Sequence, residues 1–140
     1  YDQVLVVDGD TIVHPDCPNF FNETNHKYSG VVENGCYEWV TRSINGWGHH
    51  LKFDKKYYPK TWTYFNTGFI IFNKKHKPFL KIVQDYYLNN IDKINYITKN
   101  ETYQGLSVVS TGQTIVNFLL NEHNIERTIL PYPRSKLDFR

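Results

Sequence analysis

The apolar positions of this chain fall into separate blocks, and three of these blocks predict strands. Residues 4–7 are aliphatic at every position, which is typical of a strand buried between covered faces of a sheet. Residues 64–72 form a second apolar strand with Asn-Thr-Gly near its start, and glycine inside a strand often lets a ligand or another backbone come close. Residues 126–130 predict a short last strand, stopped by Pro131 and Pro133.

Two further blocks have the helical period. Pro78 suits the first turn of a helix, and the apolar stripe after it consists of Phe79, Ile82, Val83, Tyr86 and Tyr87. Ser110 and Gln113 have the spacing of a capping box, in which Ser110 caps a helix and Gln113 reaches back to it. The buried face of that helix is then formed by Ile115, Val116, Leu119 and Leu120.

The patterns of the remaining segments predict loops and one hairpin. Residues 31–33 and 36–40 flank Asn34-Gly35, a dipeptide that favours the tight turn of a β-hairpin. Residues 15–27 predict a loop, 42–60 an irregular surface excursion with one short helix, and 89–104 a polar connection. The strands and helices together indicate the α/β class.

Composition limits the classes of protein. With 140 residues and 40% hydrophobic content, the chain predicts one globular domain. A formal net charge of +2 gives no reason to expect a nucleic-acid partner. No apolar stretch reaches the length of a membrane span, and no signal peptide is recognisable. We therefore expect a soluble domain without a transmembrane segment. Localisation is open, with the cytoplasmic side favoured.

Two weaker signals leave alternatives open. Cys17 and Cys36 lack the spacing of a zinc site, so they form either a disulfide or two free thiols. Asn22-Glu23-Thr24 and Asn100-Glu101-Thr102 fit the N-glycosylation pattern. Chance explains so short a pattern better than secretion does.

The motif with the clearest chemistry is Asp8-Gly9-Asp10, directly after the first strand. Ligand sites of open α/β sheets lie at the carboxyl ends of the strands. Two carboxylates one residue apart suit a hard divalent cation that keeps positions for phosphate oxygens and water. A haloacid dehalogenase phosphatase also begins with an apolar strand and Asp-x-Asp, but it needs Thr two residues later, where this chain has Ile12.

Three blocks in this order resemble a GT-A glycosyltransferase. They are Asp8-Gly9-Asp10 after its strand, the strand of residues 64–72, and the helix start at Gly112-Gln113. The chain is most similar to the glycogenin and lipopolysaccharide galactosyltransferase type and its viral or microbial relatives. The resemblance implies a Rossmann-like GT-A fold with a mixed sheet and flanking helices. Because the chain opens on the strand that carries the acids, we expect residues 1–140 to be one partial domain that lacks its N-terminal strands.

The resemblance also implies a substrate and a cofactor. The donor is a nucleotide-diphosphate sugar, UDP- or GDP-linked, held through Mn²⁺ or Mg²⁺, and the acceptor is a glycan or another hydroxyl compound. Residues 1–15 would carry the metal and donor motif, and residues 30–140 the acceptor half. Asp8 and Asp10 would bind the metal, with Asp10 as the direct ligand. The implied donor-binding residues are Asp8, Gly9, Asp10, Asn66, Gly68 and Gln113.

Two positions depart from the pattern of that family. The helix start has Gly112 where relatives usually have an aspartate that holds donor hydroxyls. Relatives often supply a third metal ligand, a histidine near the C-terminal end of the domain, and the chain has no clear counterpart. The candidates for this third metal ligand are His123 and the pair His49-His50. Each of them is more typical of a surface position.

The acceptor side and the catalytic group are less defined. Trp47 and His49 are candidates for acceptor contact, since flat rings cover the apolar faces of sugars. The catalytic residue is unknown. An inverting reaction needs a carboxylate base, for which Glu33, Glu38 and Asp54 are candidates, and a retaining reaction does not. Two other functions stay open: a metal-dependent phosphatase or nucleotidyltransferase, and a non-catalytic carbohydrate-binding remnant.

Overall fold

The computed structural model of the chain describes residues 1–12, 14–33 and 35–130. Its strands are β1 (Gln3–Val7), β2 (Tyr28–Val32), β3 (Phe65–Asn73), β4 (Thr102–Tyr103), β5 (Leu106–Ser107) and β6 (Arg127–Ile129). Its α-helices are α1 (Tyr37–Leu51), α2 (Lys77–Asn100) and α3 (Thr111–Glu122). Short 3-10 turns lie at Phe20–Glu23, Lys55–Tyr57, Thr61–Thr63 and Lys74–His76. No helix in these described ranges is long and apolar enough to cross a membrane.

A four-stranded mixed sheet organises the fold, in the order β1-β3-β2-β6. β3 runs antiparallel to both of its neighbours, and β6 runs parallel to β2. The expected α/β class with a mixed sheet is therefore confirmed. The C-terminal ends of β1 and β2 lie beside the start of β3, as the pairs Val7–Phe69 and Val32–Phe65 indicate. We call this end of the three strands the sheet edge.

Large apolar side chains of the helices and of β3 fill the core. Trp47, Phe118 and Ile115 are fully buried, with 0% of each exposed. Phe53 stacks on Phe118 with the ring centroids 4.3 Å apart. Burial of these side chains removes a large apolar area from water, which is the main stabilising contribution to the fold.

The first strand is more exposed to solvent than its composition predicted. Val4, Val6 and Val7 are 41%, 40% and 37% exposed, and β1 is an edge strand that pairs with β3. The prediction of a strand buried on both faces is therefore wrong for the described residues. Valine suits the pleated surface of an edge strand as well as a central one, so the composition could not distinguish the two.

The predicted hairpin is also wrong. Residues 37–40 belong to α1, and Cys36 is the N-cap residue of this helix. Asn34 lies outside the described residues. Helix α1 also replaces the first part of the irregular segment predicted at residues 42–60. Its buried face is formed by Val40, Ile44, Trp47 and Leu51, whose spacing of four, three and four residues is helical.

The other elements agree better with the sequence. β3, α3 and β6 lie where strands and a helix were expected, and α2 begins one residue before Pro78. Helix α2 continues to Asn100, however, through most of the predicted polar connection. Ile94 and Ile97 are buried in this part of the helix, which explains why it stays ordered. Pro131 and Pro133 lie outside the described residues.

Candidate functional site

Two acids are held at the sheet edge by backbone hydrogen bonds. Asp8 follows β1, and its N–H donates to the carbonyl of Gly68 at 2.9 Å. Glu33 follows β2, and its N–H donates to the carbonyl of Tyr64 at 2.9 Å. The start of β3 therefore positions one carboxylate on each side of it.

The contact between Asp8 and Gly68 depends on the absence of a side chain at residue 68. A β-carbon built on Gly68 would stand 2.1 Å from Oδ2 of Asp8, far inside van der Waals contact. A side chain at residue 68 would therefore force the Asp8 carboxylate to turn away from this position. Gly9 is different, because a β-carbon there would meet nothing within 4 Å.

Asp8 and Asp10 both keep their carboxylates exposed. The N–H of Thr11 donates to the carbonyl of Asp8 at 3.0 Å and closes a turn around the motif. The ion pairs of the described residues involve neither carboxylate. Both groups are therefore available to a ligand from solvent.

Glu33 is the centre of a side-chain network. Its Oε2 accepts hydrogen bonds from Nδ2 of Asn66 at 2.8 Å and from Nε2 of Gln113 at 3.2 Å. Its Oε1 accepts from the N–H of Gly35 at 2.9 Å. Oδ1 of Asn66 in turn accepts from the N–H of Gly68 at 2.7 Å. A continuous chain of contacts thus runs from Gln113 through Glu33 and Asn66 to Gly68, against which Asp8 lies.

Gln113 does not cap α3 as predicted. Ser110 has φ of 55° and makes no side-chain hydrogen bond at the helix start. Gln113 instead directs its amide to the sheet edge, where Oε1 accepts from the N–H of Thr67 at 3.3 Å. The capping box is therefore wrong, and the side chain bonds to β3 and Glu33.

Asn117 fixes α3 to the start of β3. Its Oδ1 accepts from the N–H of Phe65 at 2.8 Å, and its Nδ2 donates to the carbonyls of Phe65 at 2.9 Å and Gln113 at 2.8 Å. The side chain is fully buried. Beside it, the hydroxyl groups of Tyr64 and Thr114 are 2.6 Å apart, and burial raises the pKa of Tyr64 to about 12. These bonds fix the backbone of α3 at Gln113 relative to the start of β3.

The proposed acceptor residues are not part of this network. Trp47 is 0% exposed, and its indole Nε1 donates to the carbonyl of Val109 at 2.8 Å. A side chain so enclosed cannot contact an acceptor, so its assignment is wrong. His49 is exposed. Its ring contacts those of His50, with centroids 5.1 Å apart, and Tyr103 at 6.0 Å.

Three carboxylates were candidates for the general base of an inverting reaction, and of these Glu33 lies at the sheet edge. Glu38 is exposed in the first turn of α1. Asp54 caps a 3-10 turn, and its pKa is lowered mainly by the hydrogen bond from the Lys56 backbone. The sequence contained one signal for the role of Glu33, which is a carboxylate directly after an apolar strand. Nothing local in the sequence indicated Asn117.

The donor set available to a metal consists of two aspartates. Groups of three or more His, Cys, Asp and Glu side chains that could hold a cation do not occur among residues 1–12, 14–33 and 35–130. Magnesium and manganese do not need such a group, since Mg²⁺ is commonly held by one or two carboxylates together with substrate phosphates and water. The unpaired carboxylates of Asp8 and Asp10 fit that chemistry. Cys17 and Cys36 are both exposed free thiols.

Comparisons of the chain with protein-family models, curated proteins and solved structures found no match.

Proposed function

We propose that the chain is a metal-dependent glycosyltransferase domain of GT-A type, acting on a nucleotide-diphosphate sugar. One observation carries the proposal. The four residues Asp8, Asn66, Gly68 and Gln113 come from three distant segments that the resemblance requires to meet, and they lie in one contact network at one sheet edge.

In this proposal Asp8 and Asp10 hold Mn²⁺ or Mg²⁺. When bound, the ion neutralises negative charge on the diphosphate leaving group of a UDP- or GDP-sugar. Gly68 leaves the space in which the Asp8 carboxylate lies. Among the described residues, no basic side chain forms an ion pair with either aspartate. A cation can therefore bind without breaking an ion pair of this kind.

The amides of Asn66 and Gln113 supply polar groups for sugar hydroxyls. Both are anchored by Oε2 of Glu33, which fixes their orientation before a ligand arrives. Fixing binding groups in advance lowers the entropy lost on binding. Glu33 accepts three hydrogen bonds from described residues, so we assign it a positioning role, and the general base stays unassigned. The acceptor is a glycan or another hydroxyl compound.

Calorimetric titration tests the proposal. UDP- and GDP-sugars are titrated with and without Mn²⁺ into the wild type, into Asp10→Ala, and into Asp92→Ala, which removes an exposed carboxylate on α2. We expect metal-dependent binding that Asp10→Ala abolishes and Asp92→Ala preserves. Equal affinity in all three proteins would contradict the metal site.

A turnover assay separates the remaining functions. Transfer of sugar to an acceptor supports the proposal. Release of phosphate or pyrophosphate without sugar transfer would indicate a phosphatase or nucleotidyltransferase. Glycan binding that needs neither metal nor donor would indicate a carbohydrate-binding remnant.

A further inference from the structure

A second concave region lies away from the candidate site. It is a groove of about 500 Å³ between the segment that carries Lys56 and Lys60 and the segment that carries Asn121, Asn124 and Arg127. Its volume is in the range of small-molecule sites. We call it the basic groove.

The topology separates the basic groove from the candidate site. Arg127 is the first residue of β6 and pairs with Tyr28, the first residue of the parallel strand β2. Glu33 follows the other end of β2. The basic groove shares no lining residue with the network of Asp8, Glu33 and Gln113.

Arg127 is the central residue of the groove because its guanidinium is incompletely bonded. Nη2 donates to Oδ1 of Asn121 at 2.6 Å. Nη1 is buried and has no hydrogen-bond partner among the described residues. No carboxylate of those residues forms an ion pair with Arg127. The residue as a whole is half-buried. A partly desolvated cation without a carboxylate partner is unfavourable, so an anion in the groove would offset its charge.

The position of this guanidinium is fixed. Asn121, which accepts from Arg127, donates through Nδ2 to the carbonyl of Tyr57 at 2.9 Å. On another side the guanidinium carbon lies 5.9 Å from the ring centroid of Phe65, a distance that permits a cation–π contact. Burial lowers the pKa of Arg127, but an arginine stays protonated at neutral pH. The groove therefore presents a fixed positive charge.

Two lysines add charge to the same groove, and none of the acidic residues that the structure describes lines it. Nζ of Lys60 lies 5.6 Å from the ring centroid of Trp62, so its charge is not neutralised by that contact. Lys56 pairs with Asp54 at 3.3 Å, which makes it the weaker contributor.

We propose that the basic groove binds the phosphate group of a small ligand, with Arg127 as the principal contact and Lys60 and Lys56 as supporting charges. Arginine suits this role because its planar set of N–H donors matches phosphate oxygens. The ligand class is a phosphate monoester, either a soluble metabolite or a lipid headgroup. This site is independent of the proposed glycosyltransferase site.

Calorimetric titration with inorganic phosphate and glycerol 3-phosphate tests the inference, in EDTA so that no metal site contributes. We expect Arg127→Gln to weaken binding at least about tenfold, the size of one lost charge-assisted hydrogen bond. Lys99→Gln, which changes an exposed lysine of α2, should leave the affinity unchanged. Phosphate binding that persists in EDTA distinguishes this site from the proposed donor site, which needs a metal ion.

A second variant covers the case in which Arg127→Gln does not fold. Lys56→Gln/Lys60→Gln removes two charges from side chains outside the core and should weaken phosphate binding several-fold, about as expected for two supporting charges. Binding to phosphatidylcholine vesicles only when they contain phosphatidic acid would identify a lipid headgroup as the source. Phosphate affinity unaffected by both variants, or no binding of any of these probes, would overturn the inference.

Discussion

The carboxylate of Asp8 lies against the α-carbon of Gly68, so that a β-carbon on residue 68 would stand 2.1 Å from Asp8 Oδ2. The two residues also share a backbone hydrogen bond of 2.9 Å. They are 60 positions apart in the chain, and their contact joins the acidic motif to the start of β3. The orientation of the Asp8 side chain therefore depends on a glycine in another strand.

Replacing Gly68 by alanine should displace the Asp8 carboxylate. We expect Gly68→Ala to lower Mn²⁺-dependent donor affinity at least about tenfold, because a metal ligand moves out of position. Calorimetry of donor binding measures the loss. Gly112→Ala is the matched control, since the nearest atom there would be 3.6 Å away and alanine favours a helix. Unchanged donor affinity in Gly68→Ala would contradict the role of this contact.

Replacing Glu33 by glutamine should destabilise the protein. The three groups that donate to its carboxylate are Asn66 Nδ2, Gln113 Nε2 and Gly35 N–H. A glutamine must turn its own NH₂ toward at least one of these donors, which we expect to cost about 1–3 kcal/mol. Urea unfolding measures the change in the free energy of unfolding. Glu23→Gln, at an exposed position, should change it little, and equal values for both variants would argue against the network.

Asn117 should be among the most sensitive positions of the chain. Asn117→Asp keeps the acceptor for the Phe65 N–H but cannot donate to the carbonyls of Phe65 and Gln113. Because the site is fully buried, we expect a loss of about 3 kcal/mol or more. Urea unfolding tests this, with Asn89→Ala on the exposed face of α2 as a control that should be close to neutral.

His76 should make stability depend on pH. Burial lowers the pKa of its imidazole, and the nearby charge of Lys75 acts in the same direction. Nδ1 accepts from the N–H of Asn73 at 3.1 Å, which requires the neutral ring. The pKa of His76 in the folded state lies below the unfolded value of about 6.5. Between these two pKa values the unfolded state therefore binds more protons than the folded state. The contribution of His76 to the free energy of unfolding is thus fully present above the unfolded pKa. It is lost as the pH falls through the folded pKa.

Urea unfolding at a series of pH values measures this dependence. His76→Asn keeps an acceptor near the Nδ1 position and has no group that titrates in the window, so its stability should fall less between neutral pH and pH 5. His123→Gln, at an exposed position, should retain the wild-type slope. A slope equal to wild type in His76→Asn would assign the pH dependence to other groups.

Local patterns predicted the elements that have a helical period or a continuous apolar run. The period of Phe79, Ile82 and Val83 identified the start of α2, and the apolar run within residues 64–72 identified β3. In α2 the apolar side chains repeat with the period of the helix, whereas in β3 a short continuous apolar run predicts the strand without alternation. The hairpin prediction failed because Asn34-Gly35 is a strong local turn signal, whereas burial of Val40, Ile44 and Trp47 in the core favours a helix over the following residues.

The sequence alone determined the α/β class, the main strand β3, the apolar faces of α2 and α3, and the presence of paired aspartates after a strand. Periodicity and residue chemistry are local properties, so they could be recognised without a fold. Only the tertiary structure decided that β1 is an edge strand, that Trp47 is enclosed, and that Gln113 bonds to Glu33 instead of capping its helix. These outcomes depend on which distant segment lies opposite each side chain, and strand pairing and helix packing across the whole domain determine that.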